Sequence, residues 1–330
     1  MPASFHLGVL PNRPLKELVE VVSLADQLGF GGAWVADSQS VFREAFIALA
    51  MFAQNTKNLQ LATGVTNVST RHPAVMADNF ATLDEISDGR AILGIGVGDS
   101  AMFNIGQKPA KLKRLEYVIG VVRKLMAGES AEFDGVELKV SWPPRKVPVV
   151  IACTGPRSLQ LAGRIGDGVL FQVGAAPDLV RYAQKNIAIG AREAGRDMSE
   201  IKLYQRLACA VGDDREQVRT EAKGYASVAA NTIYSAIPRE DIPEDLYKDL
   251  HEMKQAYDYQ QHGSMNAKQA GLITDRILDA VAIAGTAEEA VERFQELMDL
   301  GVENFVLPVA TRDPAAIITK LAEEVIPGLR

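Results

Sequence analysis

Residues 5–36 read FHLGVLPNRPLKELVEVVSLADQLGFGGAWVA. The apolar run from Phe5 to Leu10 is short enough for a strand, and the polar cluster after it ends the run. Leu15, Leu18, Val19, Val22 and Ala25 then recur at helical spacing ahead of Gly29, so Leu15 to Leu28 reads as an amphipathic helix with a glycine stop. Ala33 to Ala36 begins the next apolar run. Strand, polar turn, helix and strand in that order form the unit from which parallel sheets are built, because parallel neighbours need a crossover between them.

The unit recurs along the chain. Further strands are expected at Leu59 to Val65, Ala91 to Ile95, Val149 to Ala152, Gly168 to Phe171, Lys202 to Val211 and Asn304 to Leu307, with helical stretches between them. Eight essentially continuous apolar strands imply a parallel α/β sheet covered on both faces, and closing it gives a (β/α)8 TIM barrel. A doubly wound open sheet is the competing architecture. No linker divides the chain, so residues 1–330 read as one domain.

Two stretches depart from the repeat. Residues 129–147 suit a small hairpin turning at Asp134-Gly135, a surface decoration. Residues 238–275 form an insertion before strand eight that is aromatic and rich in both charge signs, which suits either a lid over the loop face or a plain helical excursion.

Composition narrows the function. With 330 residues, 47% of them hydrophobic, the chain can bury roughly three quarters of its unfolded surface and needs no staples. A net charge of -7 argues against a nucleic-acid partner. Cys153 and Cys209 lie far apart with no ligand spacing, so neither a disulfide framework nor a metal site is indicated and a cytoplasmic setting is expected. No leader or apolar stretch of about 18 residues suggests a membrane.

In a barrel the working residues follow the strands. Strand two runs into Asp37, Ser38 and Gln39; strand three into Gly64, Val65, Thr66, Asn67 and onward to Arg71-His72-Pro73; strand four into Gly94, Gly96, Gly98 and Asp99; strand six ends at Gln172. The glycines have the wrong spacing for a dinucleotide loop and suit a flat ring lying against backbone, with tight packing at the strand exit as the plainer alternative. After strand five, Thr154-Gly155-Pro156-Arg157-Ser158 opens a helix with free N–H groups and a guanidinium, a ready phosphate site. A flat ring and a phosphate together point to FMN. His6 lies in strand one and reads as structural, His251 as solvated; His72 and His262 are the candidate proton donors.

The segments GFGGAWVADSQ, LATGVTNVSTRHPAVMA, ATLDEISDGRAILGIGVGDS, ACTGPRSLQLAGRIGDGVL and GTAEEAVERFQELMDLGVENFVL resemble the bacterial luciferase-like (LLM class) flavin-dependent oxidoreductases, nearest the branch containing methylenetetrahydromethanopterin reductase. The resemblance implies FMN or its deazaflavin analogue, coenzyme F-420, at the strand ends. It also implies a non-prolyl cis peptide at Gly64-Val65, acidic site positions at Asp37 and Asp99, and a phosphate loop at Gly155, Pro156 and Arg157. Ser38 and Gln39 stand where many monooxygenase members carry a histidine, and Gly8 where the methanopterin reductases carry an acid. That second departure favours FMN.

The expected activity is therefore oxygenation of a small organic substrate by reduced FMN, supplied by a separate flavin reductase. Asp37, Thr66, Asn67, Gly96, Asp99 and Gln172 would shape the ring site, with His72 or His262 giving the proton. The alternative is hydride transfer with coenzyme F-420, and a third reading is a flavin-binding protein without turnover. Tyr257, Tyr259 and His262 with Met102 and Phe103 would form an aromatic mouth, and the resemblance implies a homodimer.

Overall fold

The computed structural model describes residues 3–257, 268–308 and 313–330. Strands β1 Ser4–Val9, β2 Gly32–Val35, β3 Gln60–Thr63, β4 Thr66–Asn67 and β5 Ala91–Gly96 precede a hairpin, β6 Ala131–Phe133 and β7 Val136–Leu138. β8 Val149–Cys153, β9 Gly168–Phe171, β10 Lys202–Arg206, β11 Ala208–Val211, β12 Ala282–Gly285 and β13 Asn304–Pro308 follow. The main sheet has the order β3-β2-β1-β13-β10-β9-β8-β5-β4, and β3 also pairs with β5, which closes it. Since β3 and β4 are successive pieces of one strand, the result is the expected eight-stranded parallel barrel with helices between the strands.

The chain falls into two compact units, Leu7–Ala152 with Ile165–Gly168, and Met1–His6 with Cys153–Arg164 and Val169–Arg330. In the first, β2 and β3 run parallel with Trp34 opposite Ala62, and β3 meets β5 with Leu61 opposite Ala91. Two polar clamps set this alignment. The Asp26 carboxylate, at the end of helix Leu15–Gln27, accepts from the backbone N–H groups of Lys57, Asn58 and Leu59 at 2.8, 2.9 and 3.0 Å and so fixes where β3 begins. Arg90, just before β5, donates to the carbonyls of Ser87, Leu59, Ala53 and Thr56 and to the Thr56 hydroxyl. One guanidinium thereby satisfies carbonyls at the C-terminal end of helix Ala45–Asn55 that have no partner within the helix.

In the second unit the alternation of β1 is plain. Phe5 faces outward, its ring 4.9 Å from Phe294 on helix Ala287–Asp299 and 5.3 Å from Phe305 on β13. Ser4 and His6 lie on the opposite face, where the Ser4 hydroxyl is 3.1 Å from His6 Nε2 and the imidazole meets Tyr204 edge-on at 5.5 Å. His6 is therefore a core residue, as its place in the strand suggests.

One expectation needs correction. The seventh strand is not continuous: after Leu207 the chain leaves the main sheet, and β11 pairs in parallel with β12, Ala208 opposite Ala282. β12 follows the expected lid and has no counterpart in the sequence reading, because Ala-Ile-Ala-Gly carries little strand signal of its own. The described part of the insertion is helical. Its helix Glu244–Gln255 buries Leu246, Leu250 and Met253, and Tyr247 stacks on Tyr234 of helix Arg215–Ala236 at 5.3 Å. His251 on that helix is exposed but bonded, its Nδ1 2.8 Å from the Tyr234 hydroxyl. Tyr259 and His262 lie outside the described residues. Among the described residues no helix is long and apolar enough to cross a membrane.

Burial lowers the His6 pKa from 6.5 to about 4, with a hydrogen bond to Asn304 opposing it and Lys202 adding to it. The imidazole is thus neutral in the fold while the unfolded chain takes up a proton near pH 6.5, so stability falls as pH drops from 6.5 toward 4. The expected loss is roughly 3 kcal/mol across that window. Urea unfolding of wild type and His6→Asn at pH 7 and pH 4.5 checks it: the two should respond differently to acid, and parallel losses would remove His6 as the cause.

Candidate functional site

The site residues of the first unit are set by the break between β3 and β4. The Gly64–Val65 peptide bond is cis, as the family resemblance implies, and Thr66 and Asn67 resume pairing opposite Ile95 and Gly96 of β5. Gly64 presses on Trp34, whose Cβ would lie 2.9 Å from any Cβ placed there. A side chain is thereby excluded at the turn of the strand.

From β4 the side chains organise into two polar groups. Thr66 is fully buried, and its hydroxyl donates to Asp37 Oδ2 at 2.6 Å. Arg71 donates to the same oxygen at 2.5 Å and, through Nη2, to Asp37 Oδ1 at 3.2 Å and Glu44 Oε1 at 2.6 Å. The Asp37 carboxylate, expected among the catalytic and ring-site residues, is thus engaged at both oxygens. The second group belongs to Asn67. Its Oδ1 accepts from the N–H groups of Ser69 and Thr70, both at 2.9 Å, which turns the amide so that Nδ2 points away from them. That Nδ2 and the Thr70 hydroxyl are buried with no hydrogen-bond partner among the described residues. Each such group costs about 1–3 kcal/mol unless a ligand or water meets it.

The three glycines of β5 and its exit have three different reasons. A Cβ at Gly94 would sit 1.9 Å from the Thr63 carbonyl oxygen, so β3 itself forbids it. Gly98 has φ +82° and would strike Met102 Cγ at 2.6 Å. Gly96 has neither constraint: a Cβ there meets Val65 and Ala152 at 3.4 and 3.6 Å, ordinary contact distances. Tight packing thus explains Gly94 and Gly98, whereas Gly96 leaves room that packing does not require.

The remaining exits are tied together. The Ser38 hydroxyl lies 3.1 Å from that of Ser100, and the Gln39 amide donates to the Ala101 carbonyl, so the residues standing where a histidine is common brace the loop after β5. Asp99 is exposed at the start of the short helix Ser100–Phe103. Met102 is wholly buried against Gly98 and takes no part in a mouth, while Phe103 is about half exposed. His72 caps helix Pro73–Ile86 by accepting the Ala74 N–H at its Nδ1, 3.2 Å away, and packs edge-on against Phe133 at 4.9 Å. Phe133 belongs to the hairpin, which turns at Asp134-Gly135 as expected and is held by a bidentate Arg114–Asp134 pair at 2.8 and 2.9 Å. The hairpin is therefore a buttress for the loop after β4 rather than decoration, and His72 has a structural task.

The second unit carries the proposed phosphate loop. Thr154 donates its hydroxyl to the Gln172 carbonyl at 3.3 Å and accepts the Tyr182 hydroxyl at its own carbonyl, while Ser158 turns back onto the Gly155 carbonyl at 2.8 Å. Gly155 passes close to the Ala236 carbonyl, which would lie 3.1 Å from a Cβ. Pro156 opens helix Pro156–Ile165, whose first N–H groups have no helical partner. Arg157 is exposed and makes no ion pair among the described residues. The Gln172 Nε2 is buried with no hydrogen-bond partner among the described residues. Cys153 is buried, and burial pushes its thiol well above the usual range, so it is no nucleophile.

Thr70, Arg71 and Glu44 are absent from the sequence-derived site. Their signal was weak: a hydroxyl and an arginine before a proline-led helix, and an acid beyond strand two, each ordinary in a loop.

Comparison with known proteins gives this geometry a context. A family model described as luciferase-like monooxygenase matches residues 2–304. The chain is 31% identical over 339 residues to the 5,10-methylenetetrahydromethanopterin reductase of Archaeoglobus fulgidus, covering 99% of each. Identity is also 31% over 313 residues to the protein of that name from Methanolobus tindarius, covering 92% of this chain and 93% of that one. The solved coenzyme F-420 dependent tetrahydromethanopterin reductase of Methanopyrus kandleri superposes with TM-score 0.82 at 25% identity over 100% of both chains.

The glycine analysis separates two substitutions. Gly94→Ala should cost about 1–3 kcal/mol or more, because backbone must move, whereas Gly96→Ala should stay within about 1 kcal/mol of wild type. Urea midpoints of the two variants check this, and equal losses would erase the distinction drawn at Gly96.

Proposed function

Because the chain belongs to the luciferase-like monooxygenase family, we propose that it passes hydride between coenzyme F-420 and a small organic substrate. The observation that carries this reading is the end-to-end match, 31% identity over 99% of the chain, to a methylenetetrahydromethanopterin reductase. Gly8 alone had favoured FMN, and one position weighs less than the whole length.

The residues present suit such a cofactor. Two buried donors without partners among the described residues, Asn67 Nδ2 and the Thr70 hydroxyl, are available to its polar edge. In the second unit, the first turn of helix Pro156–Ile165 with Arg157 suits a phosphate. When bound, coenzyme F-420 supplies the hydride carrier. The chain supplies binding and orientation. Asn67, its amide fixed by the N–H groups of Ser69 and Thr70, donates without having to reorganise. Asp37 contributes a carboxylate held in place by Thr66 and Arg71.

Anaerobic titration of the protein with reduced coenzyme F-420 and reduced FMN, followed by calorimetry, tests the choice. Selective micromolar binding of coenzyme F-420 is expected; selective binding of FMN would restore the oxygenase reading and its dependence on a flavin reductase. For the phosphate loop, Arg157→Ala should weaken cofactor binding roughly 10- to 100-fold, the worth of a charge-assisted contact. Unchanged affinity would sink that assignment.

A further inference from the structure

Arg71 is the most heavily engaged side chain of the loop after β4. Its guanidinium spans Asp37 Oδ1 and Oδ2, reaches Glu44 Oε1 at 2.6 Å and lies over the Phe46 ring, 4.7 Å from its centre. Asp37 and Glu44 are the charged groups that act on it. Glu44 is itself fixed, since its other oxygen accepts the Ile47 N–H at 2.8 Å and caps helix Ala45–Asn55. A single side chain thus ties the N-terminus of that helix to the exit of β2.

We propose that Arg71 is a positioning residue of the cofactor site: it holds Asp37, and with it the Thr66 hydroxyl, in one orientation, and Glu44 holds Arg71. The proposal rests on the reading that the Thr66-Asn67 loop serves the cofactor. Three features of the geometry support it. Asp37 is only 5% exposed, so its charge needs a nearby cation, and the planar fork of arginine is the group that meets both carboxylate oxygens at once. Thr66 has a single hydroxyl proton, and it goes to Asp37, while Arg71 Nη1 donates to the Thr66 oxygen at 3.4 Å, so the hydroxyl can meet a ligand only as an acceptor through its remaining lone pair. The neighbouring Asn67 presents a donor. The polarity of the loop toward a ligand is therefore written by a network whose cation is Arg71.

The test is a fluorescence titration with oxidised coenzyme F-420, with the absorption spectrum of the bound cofactor recorded at saturation. It compares wild type, Arg71→Met, Arg71→Lys, Glu44→Gln, Asp37→Asn and the double variant Arg71→Met with Asp37→Asn, with circular dichroism to show each is folded. Arg71→Met should weaken binding about tenfold or more and shift the bound spectrum, and Arg71→Lys should recover only part, because an ammonium cannot replace the fork. Glu44→Gln should cost about threefold, the mildest loss, since an amide oxygen still accepts from Arg71. Adding Asp37→Asn to Arg71→Met should cost little further, as expected when two residues act as a unit.

Wild-type affinity with an unshifted spectrum in folded Arg71→Met, or fully additive losses at 37 and 71, would overturn the proposal. If Arg71→Met does not fold, Arg71→Lys and Glu44→Gln decide, and wild-type affinity in both overturns it. A wild-type protein that binds FMN in place of coenzyme F-420 defeats the cofactor reading alone, and the same set titrated with FMN then decides Arg71. Binding of neither defeats both.

Discussion

Closure of the barrel rests on the seam where β3 and β5 lie too close for a side chain between them. Thr63 donates its hydroxyl to the Gly94 carbonyl at 2.6 Å, and a Cβ on Gly94 would fall 1.9 Å from the Thr63 carbonyl oxygen. Only glycine permits this approach. On the same side Trp34 fills the space beside Gly64 and Gly94, so the bulk that β3 and β5 give up is supplied by β2. A large ring opposite bare backbone is a packing solution that holds the strands at a fixed offset.

The exits of these strands inherit that offset. With β3 interrupted at Gly64–Val65, Thr66 and Asn67 pair with β5 one residue short of the register that Leu61 and Ala91 set, and the loop from Asn67 to His72 is left to be fixed by side chains. It is held from two directions. Arg71 reaches Asp37 and Glu44, while His72 caps the next helix and leans on Phe133 of the hairpin. A loop so braced can keep Asn67 Nδ2 and the Thr70 hydroxyl buried and unpartnered, an arrangement that a free loop would relax away. The rigidity of this loop and its buried donors go together.

Much of the fold was legible because buried parallel strands are apolar on both faces and read as continuous runs, and the helices between them carry the 3.6 period. The expected Leu15 to Leu28 ends where Gly29 takes φ +81°, and the hairpin turns where Asp134 and Gly135 both take positive φ. β12 was not legible. Its four residues, Ala282 to Gly285, have almost no strand preference and become a strand only because β11 lies alongside. The division of the seventh strand at Leu207 has the same origin, a partner more than 70 residues away.

The site divides along the same line. Sequence by itself determined which residues stand at the strand exits, since position after an apolar run suffices for that, and it determined the family through motifs kept in order over nearly the whole chain. It also marked His6 as structural from its place within a strand. What tertiary structure alone decided is how each polar atom is spent. Asp37 finds Arg71 at a separation of 34 residues and Thr66 at 29, and Glu44 finds Arg71 at 27. The same holds for His72, which a loop position made a proton donor and which the fold made a helix cap. Hydrogen bonds are directional and short, so the role of a side chain depends on partners that only the folded chain brings within 3 Å of it.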